Sequence, residues 1–260
     1  MIIKLIGPGR VGRPLAQALE AAGHQVKVLG RAETGAGGHH ELGECDLAFL
    51  SVPDQALADL AEQVVTYPRL GLVHCSGQLP NRNIGPRIAM FHPLMSFGGA
   101  ESGAIFNGCP VGISGPDQLT AALFSLAEQL GARPFAIDDE AKSSYHLAAM
   151  FASVFPYILL LQAKELAEKS GIASNDASKI FGPIFRRAVR HLEESDPTQG
   201  LTGPVSRGDA STVRQHLDTL AGDPQRAEIY RNLTRLSLRY AQLDRGARES
   251  LEQALQPEPG

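Results

Sequence analysis

The 260-residue chain is poor in cysteine, short of net charge and without a long leading apolar run. Its three cysteines, Cys45, Cys75 and Cys109, form no close pair and no metal-ligand spacing. That excludes a disulfide-stapled scaffold and suits a reducing compartment. A net charge of −4 gives no reason to expect nucleic acid or an anionic membrane as partner. The opening "MIIKLIGPG" is apolar only to residue 6, too short for a signal peptide, so a cytoplasmic location is expected. No internal repeat or low-complexity tract breaks the chain. His39, His40 and Glu41 have no further ligand at a sensible spacing, so no metal is expected. An Arg-Gly-Asp triplet lies within "TGPVSRGD" (202–209), but with no export signal expected a cell-adhesion role is not expected either, and the octapeptide needs another use.

Hydrophobic content of 43% and charged content of 20% describe an ordinary globule. The first half alternates strand and helix. "IIKLI", "QVKVL", "DLAFLSV", "GLVHCSG", "RIAMFHP", "CPVGISG" and "RPFAI" read as strands. "GRPLAQALEAAG", "DQALADLAEQV" and "DQLTAALFSLAEQLG" read as helices, the second opened by Asp54 and the first stopped by Gly23. This alternation predicts an α/β, doubly wound, mostly parallel sheet of Rossmann type over residues 1–138. From residue 139 the texture is helical, with helices expected near 139–169, 174–194, 210–222 and 224–243, and a frayed end. Residues 139–260 are therefore read as an all-α substrate-binding and dimerisation domain. "LAAMFASVFPYILLLQA" is the most apolar run and is read as a buried core helix rather than a membrane span. Residues 147–161 are more apolar than one small helical domain needs, which makes a homodimer through that half the expected assembly. Arg186, Arg187 and Arg190 form a basic face, solvated or at a subunit interface.

"GPGRVG" follows a strand and opens a helix, the setting that a dinucleotide loop requires. Gly7 permits the tight turn, Gly9 lets a pyrophosphate approach, and Gly12 lets helix and strand pack closely. Pro8, Arg10 and Val11 complete the loop. The second strand ends "VLGRAE", where an acid would ordinarily hold the ribose hydroxyls. Arg31 stands there instead and suits a 2′-phosphate, so NADP (NADPH) is expected over NAD, with Glu33 close by.

With those residues in place, the chain resembles the superfamily that joins a Rossmann domain to a helical C-terminal domain. That superfamily includes ketopantoate reductase, pyrroline-5-carboxylate reductase and hydroxyacid dehydrogenases. More closely it is similar to a bacterial branch of Rossmann-like oxidoreductases sharing "SVPD" (51–54), "HCSG" (74–77), "FHPLMSF" (91–97), "KSSYHLAA" (142–149) and "TGPVSRGD". The resemblance implies that Ser51, Val52, Pro53 and Asp54 line the nicotinamide ribose and that Ser76 and Gly77 sit beside the ring. Ordinary strand-end turn chemistry would explain the same residues. His92 is implied either to contact substrate or to be a structural histidine before a proline turn. Related enzymes place a lysine early in the helix after the Rossmann domain and an asparagine four positions on. Here these positions hold Lys142, implied as proton donor, and His146, which departs from the pattern.

In the octapeptide, Asp209 can cap the next helix, or bind substrate or orient Lys142 from a loop facing the cleft between domains. Arg207 has the planar fork that grips a carboxylate or a phosphate. The expected activity is NADPH-dependent reduction of a small acidic 2-oxo acid, possible in a ketopantoate reductase-like form. Imine or imino-acid reduction and a non-catalytic NADP sensor are the alternatives.

Overall fold

The computed structural model describes residues 1–30, 44–64, 68–85, 87–194 and 200–256. Arg31, Glu33, His39, His40 and Glu41 lie outside them. All seven expected strands form: β1 (Ile2–Ile6), β2 (Gln25–Leu29), β3 (Cys45–Leu50), β4 (Pro68–His74), β5 (Ile88–Pro93), β6 (Pro110–Ser114) and β7 (Arg133–Ala136). They make one sheet in the order β2-β1-β3-β4-β5-β6-β7. Only the β5–β6 pairing is antiparallel. The chain leaves β1 for β2 on one side and returns to β3 on the other. The topological switch therefore lies between β1 and β3, at whose carboxyl ends a ligand crevice opens.

Strand composition explains the layering. In β3, Leu47 and Phe49 face one core and Ala48 and Leu50 the other, all fully buried, as period-two alternation demands of a strand covered on both faces. The first core is filled by helix α1 (Gly12–Ala21) through Leu15 and Leu19 and by helix α3 (Asp117–Gln129) through Leu119, Leu123 and Leu126. The second takes Leu57, Ala61 and Val64 of helix α2 (Leu57–Val64). Phe49 meets Phe91 edge-on at 5.6 Å. Gly23, at φ 86°, ends α1 as expected. Asp54 does not cap α2. It begins a 3-10 turn, Asp54–Ala56, and its carboxylate is used elsewhere.

After β7 the chain is helical: α4 (Lys142–Ala152), α5 (Val154–Lys169), α6 (Ser174–Glu194), α7 (Ala210–Thr219), α8 (Pro224–Ser237) and α9 (Arg245–Ala254). The chain divides into two compact units, Met1–Ile158 and Leu159–Gly260, so the division by contacts falls later than the change of texture at residue 138. The reason is local: the first turns of α4 are anchored on the sheet, as the site geometry shows. Within the second unit, Val213, Leu238, Leu251 and Leu255 form a small core. Asp223 caps α8 by accepting from Arg226 N, with Pro224 in the first turn, as its sequence promised. Helix α9 was not foreseen; Asp244 caps it by accepting from Ala247 N, and Leu251 and Leu255 bury its inner side.

One expectation is overturned. The run 147–161 is not a buried core helix: Leu147, Phe151, Phe155, Tyr157 and Ile158 are exposed within this chain. Burial within a chain needs a facing element, and the described residues supply none over this stretch. Asp139–Lys169 is long and apolar enough to cross a membrane by length and composition.

Candidate functional site

The nucleotide loop is built by backbone. Gly7 has φ 97°, and a Cβ there would lie 2.2 Å from Ser51 O. Its N–H donates to Leu29 O, and Ser51 N–H donates to Ile6 O, so the loop is pinned between β2 and β3. A Cβ on Gly12 would fall 2.1 Å from Gly7 O, which enforces glycine where α1 meets β1. A Cβ on Gly9 would meet nothing within 4 Å, so this glycine faces open space. Among the described residues, the N–H groups of Gly9, Arg10 and Val11 bond to no protein acceptor. They stand at the start of α1, where the helix dipole favours an anion. Arg13 Nε donates to Pro8 O at 2.8 Å and stiffens the turn. A cleft of about 580 Å³ opens here, lined by Gly7, Pro8, Gly9, Ser51, Val52 and Pro53 among others. The open Gly9, the free N–H groups and the adjoining cleft fit a dinucleotide pyrophosphate.

The next strand ends are cross-tied. Ser76 Oγ donates to Asp54 Oδ2 at 3.0 Å and accepts from Gln78 N and Leu79 N. The "SVPD" and "HCSG" loops thus form one rim, and Asp54 spends its carboxylate on that tie. Gly77 serves a different contact. An added Cβ would lie 2.7 to 2.9 Å from the His92 ring atoms, so the imidazole rests on bare backbone. His92 Nδ1 and Tyr145 Oη are 2.7 Å apart, with the rings edge-to-face at 5.5 Å. Burial, then the nearby His146 and Lys142, push His92 down to about 4, so it is neutral at pH 7. Burial pushes the Tyr145 phenol up to about 12. His146 is half-buried beside them and makes no hydrogen bond among the described residues.

Lys142 is fully buried. Its Nζ donates to Leu79 O at 3.0 Å, Asn81 Oδ1 at 2.7 Å and Asp139 Oδ1 at 2.8 Å. An ammonium has three N–H groups, and all three are taken. Burial lowers its pKa while Asp139 opposes the shift. Burial works against the Asp139 carboxylate too, but bonds from Lys142 and Asn81 N outweigh it and hold Asp139 below its usual range. Asn81 Oδ1 also accepts from His74 Nε2 at 2.8 Å, and Asn81 Nδ2 donates to Ser114 Oγ at 3.2 Å. Since Asn81 Oδ1 can only accept, His74 carries its proton on Nε2. Its buried Nδ1 has no partner among the described residues, and burial holds this ring at about 4. This cluster ties the turn after β4, the end of β6 and the start of α4.

The first unit therefore brings together Ser76, Gly77, His92, Lys142 and His146 with Asp54. Asn81, Asp139, Tyr145 and His74 belong to the same cluster and were not singled out from sequence. The spacing of Asp139 and Lys142, one helical turn apart, was the available signal. In the second unit, Asp209 caps α7: it accepts from Thr212 N at 3.0 Å, Ser211 Oγ at 2.6 Å and Thr212 Oγ1 at 2.6 Å. Those bonds hold it far below the usual carboxylate range. Arg207 is exposed, and Gly208 beside it takes φ 70°. Among the described residues no group of histidine, cysteine and carboxylate side chains is arranged to hold a metal.

Comparison with known proteins bears on this geometry. Residues 109–237 match a family model described as a domain of unknown function, DUF2520. A crystal structure from Bacteroides fragilis, provisionally named an NADP oxidoreductase, is 28% identical over 92% of this chain and 98% of its own, with a TM-score of 0.74. A protein from Thermotoga maritima is 21% identical over 98% of this chain and 100% of its own, at a TM-score of 0.69. An imine reductase from Myxococcus stipitatus, solved with NADP+, is 18% identical over 97% of this chain and 95% of its own, at 0.64. The last two share the fold only. No curated protein matches the chain. The fold is that of the Rossmann-like oxidoreductases with a helical C-terminal domain.

Proposed function

We propose that the protein is an NADP-dependent reductase acting on a small acidic substrate, with a 2-oxo acid such as ketopantoate as the leading class. The observation that carries the reading is the pyrophosphate-shaped loop: open Gly9, unpaired N–H groups and a cleft along β1 and β3. The likeness to the Bacteroides fragilis NADP oxidoreductase supports NADP as the cofactor and oxidoreduction as the reaction class. Bound NADPH would supply hydride. Gly7, Gly9 and Gly12 would shape its pyrophosphate seat, Arg10 and Val11 would add N–H donors, and Ser51, Val52 and Pro53 would flank it. Arg31 is proposed to pair with the 2′-phosphate.

Lys142 is proposed as the holder of the Asp139–Asn81 turn, because none of its N–H groups is left for a substrate. That same observation favours a second reading, reduction of an imine, since a protonated imine needs no general acid. Arg207, exposed on its left-handed turn, is proposed to grip the substrate carboxylate. The exposed apolar residues of α4 and α5 are proposed to be covered by a second copy of the chain.

The deciding measurement is a thermal-shift titration with NADPH and NADH side by side. At a hundredfold excess over Kd, bound ligand adds about 2.7 kcal/mol of stability. A rise with NADPH and little with NADH is expected. No rise with either removes the cofactor and with it the reductase reading.

A further inference from the structure

The reaction just proposed leaves a proton to be delivered, and Lys142 has none free. The His92–Tyr145 pair is another proton-bearing group in this unit, and its geometry is specific. His92 lies flat on Gly77, where any Cβ would collide with its ring. Its Nδ1 is taken by Tyr145 Oη at 2.7 Å. No partner among the described residues takes its Nε2, and the ring is part-exposed. Tyr145 is itself fixed: its ring meets Phe135 edge-on at 6.0 Å, and its hydroxyl lies over Gly112, where a Cβ would be 3.0 Å away.

Hydrogen-bond satisfaction then chooses the tautomer. If Tyr145 Oη donates to Nδ1, the phenol proton and the Nδ1 lone pair are both used, and Nε2 carries the proton outward. If Nδ1 donated to Oη instead, the phenol proton would find no protein acceptor among the described residues. Burial of the ring, with His146 and the cationic Lys142 on α4 beside it, stands against a charged imidazolium.

We propose that Tyr145 is the positioning residue that fixes His92 as a neutral Nε2–H donor, and that this Nε2 meets the carbonyl oxygen of the substrate. The inference rests on the reductase reading. Bound NADPH would supply the hydride to the carbonyl carbon, and the C=O π pair would move onto oxygen. That oxygen takes the Nε2 proton as Nδ1 takes the proton of Tyr145 Oη, and after product leaves Nε2 regains a proton from water while the Nδ1 proton returns to Oη. A neutral imidazole with a phenol behind it can relay a proton without ever carrying the charge its surroundings oppose.

The test uses the full-length protein labelled with 15N-histidine, without cofactor, His92→Asn assigning the signals. At pH 7, His92 is expected to be protonated on Nε2 alone. Tyr145→Phe keeps the ring contacts and removes the hydroxyl. It should mix the two tautomers and lower kcat for NADPH-driven reduction of ketopantoate or pyruvate by about tenfold to a hundredfold, the scale of general acid–base catalysis. The KM for NADPH should stay within about twofold, as expected of a proton-transfer variant. An Nδ1-protonated His92 in the wild type overturns the proposal, and so does an unchanged kcat in Tyr145→Phe. If the wild type binds NADPH yet reduces only a cyclic imine, the carbonyl role falls while the reductase survives. If it reduces nothing, both fall, and the spectrum still reports the tautomer separately.

Discussion

The glycine loop and the Lys142 cluster hold the same sheet in opposite ways. The loop is made by main chain that side chains must stay out of: a Cβ at Gly7 or Gly12 would overlap a carbonyl oxygen at little more than 2 Å. The cluster is made by side chains from separate segments: Leu79 and Asn81 after β4, Ser114 at the end of β6, and Asp139 with Lys142 at the start of α4. A ligand site of the first kind is prepared by absence. The second kind closes on itself, satisfying its own donors and leaving little to offer a substrate. The lesson is that a buried lysine at an expected catalytic position is first a structural group until a free N–H is found.

Breaking the loop should give the largest effect. Gly12→Ala drives a methyl into Gly7 O, where neither backbone can yield easily. We expect a loss of at least about 3 kcal/mol, the upper range for overpacking, and no thermal shift with NADPH. Gly9→Ala sharpens the contrast, because its Cβ meets no protein atom. Its unliganded Tm should be unchanged while NADPH affinity falls at least about tenfold, or 1.4 kcal/mol. Equal affinity in Gly9→Ala would mean that no phosphate approaches this backbone.

Breaking the cluster comes next. Lys142→Met removes one charge, takes from Asp139 its nearest cation and leaves Asn81 Oδ1 with His74 alone. Losing one partner of a buried pair costs about 3 to 5 kcal/mol, and Asp139 is part-exposed, so about 3 kcal/mol is expected. Urea unfolding checks this. NADPH binding should be retained, since among the described residues Lys142 bonds only to Leu79, Asn81 and Asp139. A stable Lys142→Met protein without turnover would return the lysine to the chemistry.

The two regions also differ in how far the sequence discloses them. "GPGRVG" after "IIKLI" is a local pattern, and each glycine has a steric reason within a few residues or one neighbouring strand. All seven strands were legible for a similar reason: buried parallel strands are short apolar runs bounded by turn residues. The cluster was not legible, because Asn81 and Lys142 are 61 positions apart and nothing in either neighbourhood announces the other. Tyr145 was hidden in the same way, 53 positions from His92. The apolar run 147–161 was misjudged because hydrophobicity says that a face will be covered, not which surface covers it. Helix α9 was missed because "RGARESLEQAL" has few apolar residues, although Asp244 carried a usable capping signal.

The smallest expected effect separates two neighbours in the octapeptide. Asp209 makes three accepting bonds within its own helix start, and a carboxylate so engaged has little left for a substrate. Asp209→Asn keeps an oxygen for Thr212 N and should lower Tm only slightly, with kcat and KM within about twofold, as loss of a partial cap predicts. Arg207 is exposed and in none of the ion pairs among the described residues. Arg207→Ala should leave Tm alone and raise KM for an acidic substrate by about tenfold or more, the worth of a charge-assisted pair. A collapse of kcat in Asp209→Asn with an intact Tm would show that the cap exchanges its partners when substrate arrives. Unchanged kinetics in Arg207→Ala would leave the octapeptide as a turn and a cap, and the acidic substrate class would lose its anchor.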